Sequence, residues 1–365
     1  MQEFTLRPET QAVIKSGNFI RQMGMMRDMM RRGADAQEEV WAAIQEVDFA
    51  IQSPTASGAL EAVSVRKIPA AFAVPVPFTP TRAFPSFFMG TRFSLGAGYN
   101  RFTHTLMHGV LWNIMSGPLT NPLRKKLGLR PWRSYAELMA YSRSVNTPWL
   151  NGFSPHVLPK PADWDEYQHI TGYWFLEVPN DWQPPEALVR FLESGPPPVY
   201  VGFGSMSHEN PERQTRLALR ALELSGQRGV LAAGWGGLTS EALPPNVFFV
   251  EDVPHSWLFP RMAAVVHHGG AGTTGAGLRA GVPNIVTAFA PNDQVAWADV
   301  VVKLGVGPRV PSIKKLTAEK LAEAINTAIN DSALRARAAA LGEKIRAEEG
   351  VARAVEIIER HAEHH

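Results

Sequence analysis

VVHHGGAGTTGAGLRAGVP, residues 265–283, decides how the rest of the chain is read. Ala263 to Val266 is a short apolar run that suits a buried strand. His267 to Thr274 reads as a tight glycine-rich turn. Ala276 to Ala280 reads as the start of a helix, stopped by Gly281, Val282 and Pro283. A strand, a glycine turn and a helix N-terminus make an anion site, because unpaired backbone N–H groups converge there and the helix dipole adds partial positive charge. Gly269, Gly270 and Gly272 have no Cβ to hold a ligand away. Thr273 and Thr274 offer hydroxyls and His268 an imidazole donor. Charge-assisted bonds of this kind contribute about 1.5–3 kcal/mol each. The ligand this chemistry selects is a phosphate or diphosphate. The stretch matches neither GxGxxG nor the GK[ST] of a P-loop, and a capped surface turn is the plain alternative. Asp293 and Gln294, past the apolar run Pro283–Phe289, weigh against that alternative. A carboxylate beside an amide is what recognition of sugar hydroxyls needs.

HHGGAGTTGAGLRAGVP together with DQVAW at residues 293–297 resembles the donor-site signature of the family 1 glycosyltransferases of GT-B fold. Within them it is similar to the sterol 3-beta-glucosyltransferase-like group. The pattern SP…P.P.DW…TGYWF, from Ser154 to Phe175, recurs in that group and extends the resemblance. The resemblance implies an α/β chain with two Rossmann-like parallel-sheet domains facing a cleft. The expected organisation is an acceptor-side domain over residues 1–180, a proline-rich linker over 181–198, a nucleotide-sugar domain over 199–340 and a returning C-terminal helix over 341–365. The implied activity is that of a UDP-glycosyltransferase, a hexosyltransferase that inverts the anomeric carbon without a metal. It would move a sugar, glucose from UDP-glucose in the commonest case, to a hydroxyl of a sterol, terpenoid or polyphenol. No cofactor is expected beyond the UDP-sugar co-substrate.

Composition sets bounds around this reading. The 365 residues are 45% hydrophobic and 19% charged, which describes a globular chain with ample core. A net charge of +2 gives no argument for nucleic acid. There is no cysteine, which suits a cytoplasmic setting. No apolar run approaches the roughly 20 residues that span a bilayer. His361, His364 and His365 close the chain without metal-ligand spacing.

In chain order, residues 10–47 read as helical, basic and methionine-rich (Met25, Met26, Met29 and Met30 among Arg21, Arg27, Arg31 and Arg32). Such a helix packs on its own domain or touches a membrane surface. A helix over Ala36–Val47, a strand over Val47–Ile51, a helix over Ala56–Val63 and a strand over Ile68–Val76 give a βαβ rhythm. The proline-rich loop Pro75–Phe88 carries Phe78, Phe84, Phe87 and Phe88, and resembles the loop that lines the acceptor pocket in the sterol group. His104, His108 and Trp112 share one face of a helix over Asn100–Ser116; His108 and Trp112 are candidates for the same pocket. His104 and His108 stand at i, i+4, but no glutamate follows His104, so HExxH is absent and no metal is expected. Further helices are expected over Pro185–Ser194 and Gln214–Ser225, with strands over Val199–Phe203, Gly229–Ala233 and Val247–Val250. Amphipathic helices are expected over Thr317–Ile329 and Ser332–Arg360.

The resemblance also assigns roles. Ser205, in the turn after the strand Val199–Phe203, would face the diphosphate with His268, Gly269, Gly270, Gly272, Thr273 and Thr274. Asp293 and Gln294 would hold the sugar. The loop over residues 252–257 would meet the base. Val253 stands where plant members carry a tryptophan, so Trp235 is the candidate for stacking. Ala276 stands where the plant motif has a ribose-binding glutamate, so that contact does not carry over. A full family member opens with a strand, a loop of the type GSRGDVQP that supplies a catalytic histidine or aspartate, and a helix. This sequence contains no such segment. The first domain is therefore expected to be incomplete, with sheet edges that favour self-association. The general base has no assignment; His104, His108 and His156 qualify by residue type alone. Two other readings follow from the same facts: a UDP-sugar-binding protein without activity, or half of a split enzyme. An NAD-type oxidoreductase is disfavoured by the missing GxGxxG.

Overall fold

A computed structural model describes residue 33 and residues 37–54, 58–203, 211–232, 243–289 and 293–363. The methionine-rich helix expected over residues 10–32, Ser205, Trp235 and the two last histidines lie outside the described residues. The chain forms two compact units. The first comprises Met1–Val74, Thr105–Leu150 and Glu356–His365, and the second Pro75–His104 and Asn151–Val355.

In the first unit, residues 37–44 are helical. Strand β1 (Ala50–Gln52), helix α1 (Gly58–Arg66) and strand β2 (Ala70–Val74) form the expected βαβ unit, with β1 parallel to β2. Strand β3 (Trp149–Asn151) lies on the other side of β2. The Phe72 N–H donates to Pro148 O at 2.9 Å, and the Phe72 ring stacks on Trp149 at 4.2 Å. Helix α2 (Ala97–Leu111) runs into a single π-turn at Trp112–Ser116 and then helix α3 (Gly117–Lys126). The helix expected to end at Ser116 thus continues through the bulge, which carries Trp112 inward to Tyr135. Helix α4 (Tyr135–Ser144) starts on a capping pair that the sequence reading passed over. Ser134 accepts from the Glu137 N–H, and the Glu137 carboxylate accepts from the Arg133 N–H. Glu61 and Arg124 form a buried ion pair, with the Trp132 indole at 3.4 Å from Glu61 and the guanidinium over the Trp132 ring at 3.9 Å.

The second unit is built on a five-stranded parallel sheet. Its strands are β5 (Val199–Gly202), β6 (Gly229–Ala232), β7 (Val247–Val250), β8 (Ala264–His267) and β9 (Asn284–Val286), in the spatial order β7-β6-β5-β8-β9. A short strand β4 (Gln168–Ile170) precedes them, as does helix α5 (Glu186–Glu193). Strands β5 and β8 are buried along their whole length, which is why they read as continuous apolar runs. Their side chains alternate between two cores. Val199, Val201, Ala264 and Val266 pack with Leu222, Leu321 and Ile325 from helices α6 (Pro211–Ser225) and α10 (Ala318–Asn330). Tyr200 and Val265 pack on the other face with Leu188, Leu258 and Phe259. Burial of each such side chain stabilises the fold by about 1.5–3 kcal/mol.

Two expectations are corrected here. The helix after β8 begins at Ala271, not Ala276: α8 spans Ala271–Ala280, so the second half of the expected glycine turn is helix. Low helix propensity is overridden by packing. A Cβ at Gly275 would stand 2.8 Å from the Tyr173 ring, and one at Gly277 would stand 2.1 Å from Asn284 Oδ1. The single helix expected over Ser332–Arg360 is two, α11 (Ser332–Arg346) and α12 (Gly350–Glu363). The break falls where Glu348 turns in to accept from Ser154 and where Gly350 meets the Tyr173 carbonyl too closely for any Cβ.

Candidate functional site

The strand order reverses direction between β5 and β8, so this is the switch point at which open α/β sheets bind ligands. β8 ends there in His267, the loop His268–Gly270 follows, and α8 starts. His267 is fully buried and locked from both sides. Its Nδ1 accepts the Gly269 N–H at 3.1 Å, so its Nε2 carries the proton and donates to Asn284 Oδ1 at 3.0 Å. Asn284 in turn donates to Val282 O at 2.9 Å. Burial pushes the His267 imidazole down to about 3, with His268 also lowering it and the Asn284 bond opposing. His267 is therefore a neutral brace for the loop. Sequence reading gave it no role; a buried asparagine inside the apolar strand β9 was the available signal.

The brace sets the loop backbone. Gly269 has φ 92°, a conformation glycine adopts freely, and a Cβ there would stand 2.7 Å from Val286 and 2.9 Å from Gln294 O. The loop thus lies against the start of helix α9 (Asp293–Lys303), bringing Asp293 and Gln294 to the same end of the sheet. A Cβ at Gly270 would stand 2.6 Å from His268 Nε2. His268 is half-buried, its Nδ1 is buried and has no hydrogen-bond partner among the described residues, and burial lowers its pKa. A neutral imidazole here has one ring N–H to give.

Helix α8 has no side-chain cap at Gly270. Its first intrahelical bond is Thr274 N–H to Gly270 O at 2.9 Å, which leaves the N–H groups of Ala271, Gly272 and Thr273 without intrahelical acceptors. A Cβ on Gly272 would meet nothing within 4 Å, so this turn is open. Thr273 is half-buried. Thr274 is buried and its hydroxyl donates to Gly270 O at 2.9 Å, leaving only its lone pairs. At the helix C-terminus Gly281 closes the last turn with φ 74°.

Gly272 opens on a cavity of about 860 Å³ within the second unit. Ala276, Arg279 and Ala280 of α8 form one wall with it, Pro254, His255 and Ser256 a second, and Trp174 to Pro179 a third. Residues 254–256 belong to the loop expected to meet the base. Val253 itself is half-buried against the Tyr200–Leu258–Phe259 core and does not line the cavity. His255 stacks on Phe259 at 4.3 Å, and burial holds it down at about 4.

Asp293 begins α9 half-buried. Burial raises its carboxyl pKa, while the N–H groups of Asp293 and Gln294 pull it back. Gln294 is buried and its Oε1 accepts the Phe289 N–H at 2.8 Å, so its amide also shapes the preceding turn.

The aromatic candidates fall on both units. In the second, Phe78 meets Phe88 edge-on at 6.5 Å, and Phe84 meets Phe87 at 5.8 Å. Phe87 is fully buried with its ring edge on Trp297 at 5.1 Å. In the first, His108 and Trp112 are buried and both lie 5.2 Å from the Tyr135 ring. His104 is buried in the second unit, its Nε2 at 3.1 Å from Phe84 O, and burial lowers its pKa to about 4. His156 is exposed. Among the described residues no helix is long and apolar enough to cross a membrane.

Residues 234–360 match the model of the erythromycin biosynthesis protein CIII-like C-terminal domain. The chain is 37% identical over 354 residues to a sterol 3-beta-glucosyltransferase of Cryptococcus neoformans, covering 90% of this chain and 22% of that protein. It is 37% identical over 317 residues to the Arabidopsis thaliana sterol 3-beta-glucosyltransferase UGT80A2, covering 87% of this chain and 49% of the relative. The chain thus spans half or less of the length of these relatives. Among solved structures, the glycosyltransferase of kitacinnamycin superposes with a TM-score of 0.64 at 21% identity, over 95% of this chain and 84% of that one. Arabidopsis UGT89C1 in complex with quercetin gives 0.62 at 16% identity, over 95% and 80%.

Proposed function

The chain is a family 1 relative of the sterol 3-beta-glucosyltransferases with the GT-B fold, and from that premise we propose that it transfers a glycosyl group from a UDP-sugar to a hydroxyl of a hydrophobic acceptor. The observation that carries this reading is the uncapped N-terminus of α8, which stands at the sheet's switch point and opens through Gly272 on the 860 Å³ cavity. That volume lies within the range of small-molecule sites, about 300–1,000 Å³.

In this reading the diphosphate sits on the free N–H groups of Ala271, Gly272 and Thr273, with the His268 imidazole and the Thr273 hydroxyl as further donors. These groups stabilise the leaving UDP as charge develops on it, the task a metal ion performs elsewhere. Gly269 and Gly270 keep the loop close, and Thr274 supports it through Gly270. Ser205 and Trp235 keep their assignments to diphosphate and base. Asp293 accepts from sugar hydroxyls, and the Gln294 amide adds a donor. The base lies along Pro254, His255 and Ser256, the part of the expected loop that lines the cavity. Phe78, Phe84, Phe87 and Phe88, and separately His108 and Trp112, keep their assignment to the acceptor on the strength of the resemblance. The domain limits given above, glucose as the sugar, a cytoplasmic setting, membrane-surface contact and self-association belong to the same proposal.

The test is transfer itself. The purified chain is incubated with UDP-[14C]glucose and a sterol in detergent micelles, and label is counted in the lipid extract. The reading expects extractable label that is lost on His268→Ala. Intact binding of UDP-glucose with no label in any of a panel of sterols, terpenoids and polyphenols would overturn transfer in favour of a binding protein.

A further inference from the structure

Among the described residues the cavity beside α8 has one carboxylate in its lining, that of Glu177. Glu177 Oε1 pairs with Arg279 Nη2 at 2.8 Å, although the Glu177 side chain is 73% exposed. The Arg279 guanidinium lies over the Phe175 ring at 4.5 Å, and the Arg279 carbonyl accepts from Arg346 at 2.6 Å. A planar guanidinium held by a ring on one side leaves its paired carboxylate little freedom. Glu177 thus stands at the mouth of a cavity with Oε1 on Arg279, and its other oxygen can take a further hydrogen bond.

The neighbouring face of α8 makes this useful. Gly272, Ala276, Arg279 and Ala280 are spaced so that one face of α8 floors the cavity. Ala276 stands about 6 Å along the axis from Gly272, at 1.5 Å per residue, and offers no polar atom. A ligand whose diphosphate sits at the start of α8 therefore presents its next group, the pentose, at Ala276, whose side chain cannot hydrogen-bond it. A pentose diol needs an acceptor, and a carboxylate accepts from both hydroxyls at once.

Resting on the donor reading above, we infer that Glu177 is the ribose-recognising residue of this chain, reaching the 2′- and 3′-hydroxyls from beside α8 with Arg279 and Phe175 as its positioning groups. The site consequently selects ribonucleotide over deoxyribonucleotide donors, so that UDP-sugars are accepted and dTDP-sugars are rejected.

The test is calorimetric titration of the full chain with UDP, 2′-deoxy-UDP and dTDP, repeated on Glu177→Gln and Glu177→Ala. Loss of one hydrogen bond to a charged group predicts that the unaltered protein binds UDP about 10- to 100-fold more tightly than 2′-deoxy-UDP. Glu177→Ala removes both bonds to UDP but only the 3′ bond to 2′-deoxy-UDP, so it should weaken UDP about 10- to 100-fold more than 2′-deoxy-UDP and abolish the discrimination. Equal weakening of both ligands would assign Glu177 a merely structural role through Arg279 and overturn the inference. So would equal binding of UDP and 2′-deoxy-UDP by the unaltered protein, an outcome that leaves the donor reading standing. Absence of any uridine binding would overturn both.

Discussion

Replacing Gly272 by aspartate separates the stability of α8 from its function, because the two respond with opposite sign. Gly272 is exposed in the first turn, and a Cβ there meets nothing within 4 Å. Removing a helical glycine is worth about 0.5–1 kcal/mol, and a carboxylate in the first turn adds about 0.3–1 kcal/mol by meeting the positive end of the dipole. The variant should therefore melt higher than the parent. The same carboxylate occupies the place assigned to the diphosphate. At about 5 Å and an effective dielectric near 20, two like unit charges repel by about 3 kcal/mol, more than 100-fold in affinity. Gly272→Ala is the control: it should gain the helical increment without adding charge, and so should bind UDP more tightly than Gly272→Asp. Thermal melts and UDP titration on the three proteins give the answer. A Gly272→Asp protein that melts higher and still binds UDP like the parent would refute the placement of the diphosphate on this helix.

Other consequences are more structural. Gly277→Ala puts a methyl 2.1 Å from Asn284 Oδ1 and should cost about 1–3 kcal/mol in urea unfolding, with UDP affinity falling as the His267–Asn284 brace shifts. Glu61→Ala leaves the buried Arg124 without its partner and should cost about 3–5 kcal/mol, whereas UDP affinity of the folded fraction should not change. Stability should fall on acidification. His267, His104 and His255 have folded pKa values of about 3, 4 and 4, below the unfolded 6.5, so the unfolded chain takes up protons that the folded chain refuses. Their contribution is complete above pH 6.5 and is lost as pH falls towards 4, by at most about 1.4 kcal/mol per pH unit for each group. Urea midpoints at pH 7 and pH 5 measure the slope, and His267→Gln should reduce it by one histidine's share.

What was legible in the sequence follows from which forces act locally. Strands β5 and β8 were read within a residue or two because burial on both faces leaves no polar position to blur the run. The start of α8 was misplaced because Gly272, Gly275 and Gly277 look like a turn; at the latter two the reasons for glycine, Tyr173 and Asn284, come from elsewhere in the chain. The break at residues 347–349 was hidden for the same reason, since its causes are Ser154 and Gly172. Asp293 and Gln294 stand out as candidates by their side chains alone, and the structure brings their helix against Gly269. Glu177 and Arg279 were passed over. They stand 102 residues apart in the chain, and Arg279, although within the stretch 265–283, carries no donor-site role of its own there.

The central claim is that the turn beginning at His268 holds a uridine diphosphate. Calorimetric titration of the chain with UDP-glucose, with UDP, ADP and NADH beside it, tests this most directly. The account predicts saturable binding of both uridine ligands and none of ADP or NADH. Folded protein that binds no uridine ligand, or that binds ADP or NADH equally well, would contradict it.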